Sequence, residues 1–468
     1  MPTPRADNPP GYAAPAALPS RAELGELLRL AFPVVLVQLG MMFMGVVDTL
    51  MVGHLSPTAL AAVALGNLYF WTIGVVGMGT LLALDPVVAQ AVGAGDEPAV
   101  ARGLQRGILL ALLVTLPTAL ALLTARPVLT AVGQPADLVD GAATFTYLIV
   151  PGLLPFYLFV VFRQTLQALG RLAPIVWVIV AGNLLNAALD WTLIYGRLGA
   201  PALGIAGTAL STSISRWVMA AALLAVAWPV LGPRLRPWRR ETRDPVALGR
   251  MLRLGFPIGA QMFFEYGVFG VVGALMGRIG TLAMAGHQIA LNLAAIVFMV
   301  PQGVGAAAAV LVGRAVGAGD QARLRRAALA GLAVGGGFMT CTAIAFVLFP
   351  RSLALLYSPD PAVIAMAAAL IVLGGFFAIF DGLQAVCIGI LRGIGDTRMP
   401  VLLSLVGYWF VGLPVSLWLG FRAGLGPRGL WWGLVLGLAV TAAVLLERVR
   451  SRLGRVIRRI LIDQPPAA

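Results

Sequence analysis

Apolar runs recur along this chain at nearly regular intervals, separated by short breaks carrying arginine, glycine and proline. Ile108 to Leu123 and Val401 to Leu419 are examples. A helix needs roughly 20 such residues to cross the hydrocarbon core of a bilayer. The pattern predicts twelve spanning helices, near residues 28–52, 64–91, 103–124, 140–162, 174–196, 203–229, 252–276, 283–315, 327–349, 361–391, 401–420 and 428–447. The expected fold class is an all-α integral membrane protein.

Composition agrees with the pattern. The chain is 60% apolar and 11% charged, where soluble domains carry about 25% charged residues. The net charge of +14 changes the picture only through its distribution. All 33 basic residues are arginines. Of these, 26 fall in the N-terminal tail, the segments after spans 2, 4, 6, 8 and 10, and the C-terminal tail; the opposite loops hold six, and Arg216 lies inside a span. This is the positive-inside asymmetry, and it places both termini in the cytoplasm. The same arginines suit the anionic headgroups of membrane lipid, so the charge argues against a nucleic-acid partner. Cys341 and Cys387 both fall in predicted spans, which argues against a disulfide framework.

The chain also repeats. Leu28-Arg29-Leu30-Ala31-Phe32-Pro33 returns as Leu252-Arg253-Leu254-Gly255-Phe256-Pro257, and Ala91-Val92-Gly93-Ala94-Gly95-Asp96 returns unchanged from Ala315 to Asp320, both at an offset of 224. At 225, Leu166 to Gly170 aligns with Leu391 to Gly395, and Gly182 with Gly407. The predicted organisation is a disordered cytoplasmic tail over 1–22, an N-lobe of six spans over 23–230, and a linker over 231–250 that opens with Pro233, Arg234, Arg236, Pro237, Arg239 and Arg240. A C-lobe of six spans over 251–450 and a basic cytoplasmic tail over 451–468 complete it. Six is even, so corresponding helices run the same way and the lobes are parallel repeats, with substrate expected between them near the midplane.

Ionisable residues inside spans are costly and mark function by default. The chain has Asp48, Asp85, Asp190, Arg216, Glu265, His287 and Asp381 in such positions. A carboxyl group there can exchange a proton, or hold a hard cation such as sodium with neighbouring oxygens. Glu265 and Asp381 lie well inside their spans and form the leading candidate pair. Asp48 and Asp190 lie nearer the outer ends of their helices, where a hydrated, interfacial carboxylate is an equal alternative. Asn186 and Asp190 are four apart and share a helix face. Asp85 precedes Pro86 and reads as structural, satisfying backbone groups that a proline frees. His287 reads as a packing or hydrogen-bonding residue beside Gln288. Arg216 is expected to pair with a carboxylate that the sequence does not identify. Aromatic residues around the second-half acids, Phe264, Tyr266 and Phe377 among them, could stack on a flat cation; with Gln288 and Gln384 they form the candidate substrate cavity. No Walker loop, histidine-rich metal cluster or nucleophile elbow is present, and the repeated Ala-Val-Gly-Ala-Gly-Asp lacks the lysine of a phosphate loop.

Several stretches together resemble one family: Gly45-Val46-Val47-Asp48-Thr49-Leu50-Met51-Val52-Gly53, Phe263-Phe264-Glu265, His287-Gln288-Ile289-Ala290-Leu291-Asn292, Leu391-Arg392-Gly393-Ile394-Gly395-Asp396-Thr397 and Gly407-Tyr408-Trp409. Their order and spacing, from about residue 25 to 450, resemble the MATE family (multidrug and toxic compound extrusion), especially its NorM-type bacterial branch. The resemblance implies a monomeric inner-membrane antiporter, not an enzyme, that needs no cofactor and exports drugs and organic cations in exchange for protons, sodium or both. It implies that Glu265 and Asp381 form a C-lobe coupling site open to sodium. A family tyrosine at that site is replaced here by Phe377. It also implies an N-lobe proton site at Asp48, Asn186 and Asp190. The alternatives are a lipid-linked-precursor flippase, which the acidic intramembrane charge disfavours, and a polytopic membrane transferase, which two separated histidines, His54 and His287, serve poorly. A channel is a third, and the duplicated lobes favour alternating access over it.

Overall fold

A computed structural model of the protein describes residues 18–463. Among them are twelve helices long and apolar enough to span a membrane: α1 (Arg21–Gly53), α2 (Pro57–Gly93), α3 (Glu97–Leu122), α4 (Ala136–Ala168), α5 (Ala173–Tyr195), α6 (Ile205–Val226), α7 (Pro245–Ile279), α8 (Thr281–Gly317), α9 (Gln321–Leu348), α10 (Pro361–Gly393), α11 (Arg398–Arg422) and α12 (Gly426–Leu453). The described residues contain no strand. In lipid the backbone must satisfy its own hydrogen bonds, and a helix does so within one segment.

Helix ends are set locally. Ser20 and Glu23 form a reciprocal capping box at the start of α1, so the helix begins at Arg21, inside the segment expected to be a disordered tail; residues 1–17 of that tail lie outside the described residues. Asp96 and Asp320, the last residues of the repeated motif, accept from the Ala99 and Arg323 amides and cap α3 and α9. The glycines before them, Gly95 and Gly319, have φ of +68° and +72°, which a glycine adopts without steric cost.

Three spans depart from straight helix. Helix α2 is interrupted at Leu82 and Ala83 and resumes at Leu84. In α4 a short 3-10 turn, Val150–Gly152, precedes Leu153. Helix α11 contains two π-helical segments, Val406–Gly412 and Trp418–Arg422.

Helices α1–α6 close round one apolar core and α7–α12 round another, giving two six-helix lobes. Large apolar side chains such as Leu113, Leu116 and Leu120 on α3 point outward, as a lipid-facing surface requires. The lobes meet along one half of the bundle through small residues. Gly79 abuts Gly259, Gly255 abuts Thr80, and Gly303 abuts Val35. At the end of the seam the repeated motif meets its own copy. A Cβ on Gly93 would lie 2.0 Å from the Arg314 carbonyl oxygen, and one on Gly317 would lie 1.9 Å from that of Gln90. Gln90 donates to the Gly393 carbonyl and Arg314 to that of Ala168, both across the seam.

The expected linker, 231–250, contains the end of a short helix, Trp228–Leu235, and a 3-10 turn at Arg240–Arg243. Of the segment expected to be a basic tail, residues 455–463 are folded back across both lobes, Ile457 exchanging backbone bonds with the Gln321 side chain of α9 and the following residues packing on the N-lobe; residues 464–468 lie outside the described residues. Ile460 donates its amide to Gln90 at 2.7 Å, and Arg459 pairs with Asp96 at 2.8 Å. Asp463 pairs with Arg102 and Arg106, and Ile462 is buried among N-lobe side chains. The strip Ile457 to Asp463 combines four apolar residues with Arg458, Arg459 and Asp463, giving this segment side chains to bury and ions to pair.

Candidate functional site

Glu265 stands in the middle of α7, and Asp381 and Gln384 lie one turn apart on α10. Gln384 donates to Glu265 Oε1 at 3.2 Å. Tyr408, from the π-helical part of α11, donates its hydroxyl to Gln384 Oε1 at 2.9 Å and lies 3.5 Å from Glu265 Oε1. Asp381 is buried and feels the Glu265 charge, and among the described residues no cationic side chain acts on either acid. Two acids, an amide and a phenol thus share one pocket without a counter-charge, an arrangement that suits a transient cation. Among the described residues no group of three metal-ligating side chains occurs; the oxygens here come from a mixed set.

The candidate cavity residues separate. Phe377 is buried and packs edge-on against Phe269 and Trp431, so it belongs to the lobe's core. Gln384 is buried beside Glu265. Tyr266 and Gln288 are exposed, and Phe264 packs on Trp409, which donates to the Phe264 carbonyl. His287 is buried and accepts from Trp431 Nε1 at 3.2 Å. The phenolic oxygen that Phe377 lacks is present all the same, supplied by Tyr408 from another helix. Sequence reasoning did not place Tyr408 in the site, although Gly407-Tyr408-Trp409 is one of the stretches that carry the family resemblance.

In the N-lobe, Thr212, about two turns into α6, donates to Asp48 Oδ2 at 3.0 Å, and Ser211 donates to Asp190 Oδ1. The two carboxyl groups act directly on each other. Asn186 lies one turn before Asp190, fully buried, with neither amide atom partnered. Asp48 and Asp190 are 9% and 0% exposed, which overturns the hydrated, interfacial alternative for both. The reason is tertiary: α5 packs on α1 and α6, sealing both acids from either surface. Arg216, one turn beyond Thr212, makes no ion pair among the described residues; its guanidinium lies 4.5 Å and 4.9 Å from the ring centres of Phe70 and Phe156.

Each lobe thus holds a buried acidic pair on a six-helix scaffold, and the two scaffolds correspond. The MatE family model matches the chain twice, over residues 33–192 and 257–418. The chain belongs to the MatE family. It is 37% identical over 93% of its length to a probable multidrug resistance protein NorM of Bradyrhizobium diazoefficiens, covering 95% of that protein. To the multidrug resistance protein PmpM of Pseudomonas aeruginosa it is 38% identical, over 97% of this chain and 96% of that one. Its fold is similar to the crystal structure of the eukaryotic MATE transporter AtDTX14, with a TM-score of 0.83, 23% identity, and coverage of 92% of this chain and 99% of that one. An outward-facing conformation of a multidrug resistance MATE family transporter superposes as well, with a TM-score of 0.83 and 20% identity over 92% of this chain and 96% of that one.

On this MatE scaffold Asp85 has a part that sequence reasoning missed. It was expected to satisfy backbone groups freed by Pro86. Pro86 instead sits in the first turn of the resumed helix Leu84–Gly93, where a missing N–H breaks no helical bond. Asp85 is free to accept from Gln164 of α4 and to pair with Arg392 of α10, whose Nε lies 3.2 Å from Oδ2. The pair joins the two lobes. Gln38 of α1 adds a second polar tie, donating to Gln302 of α8 while accepting from Arg163.

Proposed function

We propose that this MatE protein is an inner-membrane multidrug exporter that exchanges hydrophobic, often cationic compounds for protons or sodium by alternating access, with both termini cytoplasmic. The observation that carries the reading is the pair of uncompensated acids, buried Asp381 and half-buried Glu265, with the neutral Gln384 and Tyr408 side chains bonded around Glu265. Such acids are costly in lipid unless an ion visits them. Asp381 and Asp48 also lie away from the polar ties of the seam. Asp381 precedes Arg392 by eleven residues on the same helix, about 16 Å at 1.5 Å per residue, and Asp48 follows Gln38 by ten. In this reading an ion at either pair favours one arrangement of the lobes and drug favours the other, so each displaces the other without meeting it. The multidrug names of the relatives supply the substrate class. Ion-pair networks at the arginine-rich end give the lobes a closed position from which to rock.

The test is ethidium efflux in everted vesicles under imposed proton or sodium gradients. Glu265→Gln and Asp381→Asn are each expected to abolish gradient-driven efflux. Normal efflux in both would remove the C-lobe pair from the mechanism. Asp190→Asn is expected to change the pH dependence of efflux, and an unchanged profile would remove the N-lobe pair.

A further inference from the structure

Both ends of the described chain cross the seam, and the acid pairs use neither. The first turns of α1 lie against the opposite lobe, where Leu27 and Ala31 are buried with Val304 and Leu311 of α8 and Leu324 of α9. There Glu23 pairs with Arg326 at 2.5 Å and Glu26 with Arg323 at 2.8 Å. The segment after α12 does the converse. Ile457 packs on the C-lobe and Ile462 is buried in the N-lobe core. Asp463 then pairs with Arg102 at 2.8 Å and with Arg106 at 2.5 Å.

The repeat relates the two contacts. Arg102 and Arg326 correspond at the offset of 224, each six residues beyond a capping aspartate, Asp96 or Asp320. The acids that reach them do not correspond: Glu23 faces Ala247 at 224, and Asp463 faces Trp238 at 225. Duplication thus supplied two matching arginine receptors, and each chain end carries its own acid to the receptor of the other lobe. Both contacts can break without unfolding their parts. Arg106 also donates to the Glu241 carbonyl at 2.7 Å, and Arg102 lies 3.8 Å from the Glu241 carboxylate, so the linker keeps this receptor in place when Asp463 leaves. Glu23 remains in its capping box with Ser20, and Arg323 and Arg326 stand on the first turns of α9. The side chains of Glu23, Glu26 and Asp463 are 20%, 38% and 39% exposed. Pairs of this kind are individually weak and screened by salt, which suits contacts that re-form repeatedly.

We propose that the two chain ends form a reciprocal pair of ionic clasps that hold the arginine-rich end of the molecule closed, each lobe gripping the terminal segment of the other. Separating the lobes at this end must break both clasps. The proposal rests on the exporter reading only for its place in a transport cycle. Its test reads the opening of one end without drug or gradient, so the two fail separately.

The probe is a single cysteine at Ala89, which is buried on α2 against Gly313 of α8, in the full-length protein carrying Cys341→Ala and Cys387→Ala. Its alkylation by a charged maleimide is timed in lipid nanodiscs. Asp463→Asn undoes one clasp; Glu23→Gln with Glu26→Gln undoes the other, and glutamine preserves the capping box. Each is expected to speed alkylation about two- to fivefold, the span of partly exposed ion pairs. All three together are expected to give the product of the two effects. Salt raised from about 0.05 to 0.5 M should speed the parent protein more than the triple variant. Glu26→Arg is expected to speed alkylation, and adding Arg323→Glu to restore the parent rate, which a damaged fold would not do. A parent rate in either clasp variant overturns the reciprocal arrangement. A combined effect no larger than the greater single one overturns the pair, and a charge swap that fails to restore the rate overturns the ionic clasp.

Discussion

Single residues divide into those whose chemistry was legible and those whose partners were not. Glu265, Asp381, Asp48 and Asp190 could be singled out because a carboxyl group in an apolar run has few inexpensive explanations. Their surroundings could not be read, since Gln384 and Tyr408 come from helices far along the chain. Tyr408→Phe removes the donor to Gln384 and leaves that amide oxygen short of a bond, a cost of about 1–3 kcal/mol. The expected result is a several-fold fall in efflux with normal expression, measured in vesicles against wild type. Phe377→Tyr is expected to leave coupling unchanged, because Phe377 packs against Phe269 and Trp431 in the lobe core. Asp85 makes a different case. Arg392→Gln strands its carboxylate in a buried seam, at a cost of about 3–5 kcal/mol to the closed arrangement. Alkylation of single cysteines placed along the seam should then speed up from the arginine-rich side; an unchanged rate would mean that the pair does not hold the lobes together.

At the scale of elements, twelve spans were predictable because the bilayer imposes a length and an apolar composition on each helix independently. Their irregularities were not. Helix α2 breaks beside Asp85, and α11 turns π-helical at Tyr408. Both placements put a polar side chain where a regular helix would have turned it elsewhere, in keeping with the use of π segments at functional sites. The segment after α12 is the largest departure from the expected organisation. Its sequence reads as a basic cytoplasmic tail; residues 455–463 bind the N-lobe through ion pairs and one buried isoleucine, and the C-lobe through Ile457 and Gln321. Truncation after Gly454 is expected to open the arginine-rich end, raising alkylation of a cysteine at Ala94. Acid should act similarly. Burial works against the Asp96 anion, but the Arg459 hydrogen bond, the Ala99 amide and the Arg459 and Arg102 charges outweigh it and hold the carboxyl below the usual range. A depressed value stabilises docking above the unfolded pKa, near 4, and the contribution disappears as pH falls through the folded value. The protection of amides across 455–463, as the ratio of intrinsic to observed exchange rate at each pH, should therefore be constant from pH 7 to about 5 and fall only below about 4. A loss of protection near neutrality would point to a different titrating group.

For the whole molecule, the seam between the lobes is where duplication becomes mechanism. Gly93 and Gly317 let two copies of one motif approach backbone to backbone. Gly317→Val places carbon atoms where the Gln90 carbonyl stands, and should spread the lobes at that end without unfolding either. Spin labels at Ala94 and Ala318 would report a longer mean distance, and an unchanged distance would show that the seam absorbs the side chain. By itself the sequence determined what depends on local chemistry: twelve helices, their duplication at 224 to 225 residues, the arginine asymmetry, and the few acids too costly to be incidental. Tertiary structure alone decided which groups meet. It buried Asp48 and Asp190 together, set Tyr408 beside Glu265, paired Asp85 with Arg392 across the lobes and left Arg216 between two rings. The physical reason is one of range. A span is specified by hydrogen bonds four residues apart and by the solvent around it, whereas these contacts join side chains separated by tens to hundreds of residues, through packing that no single segment encodes.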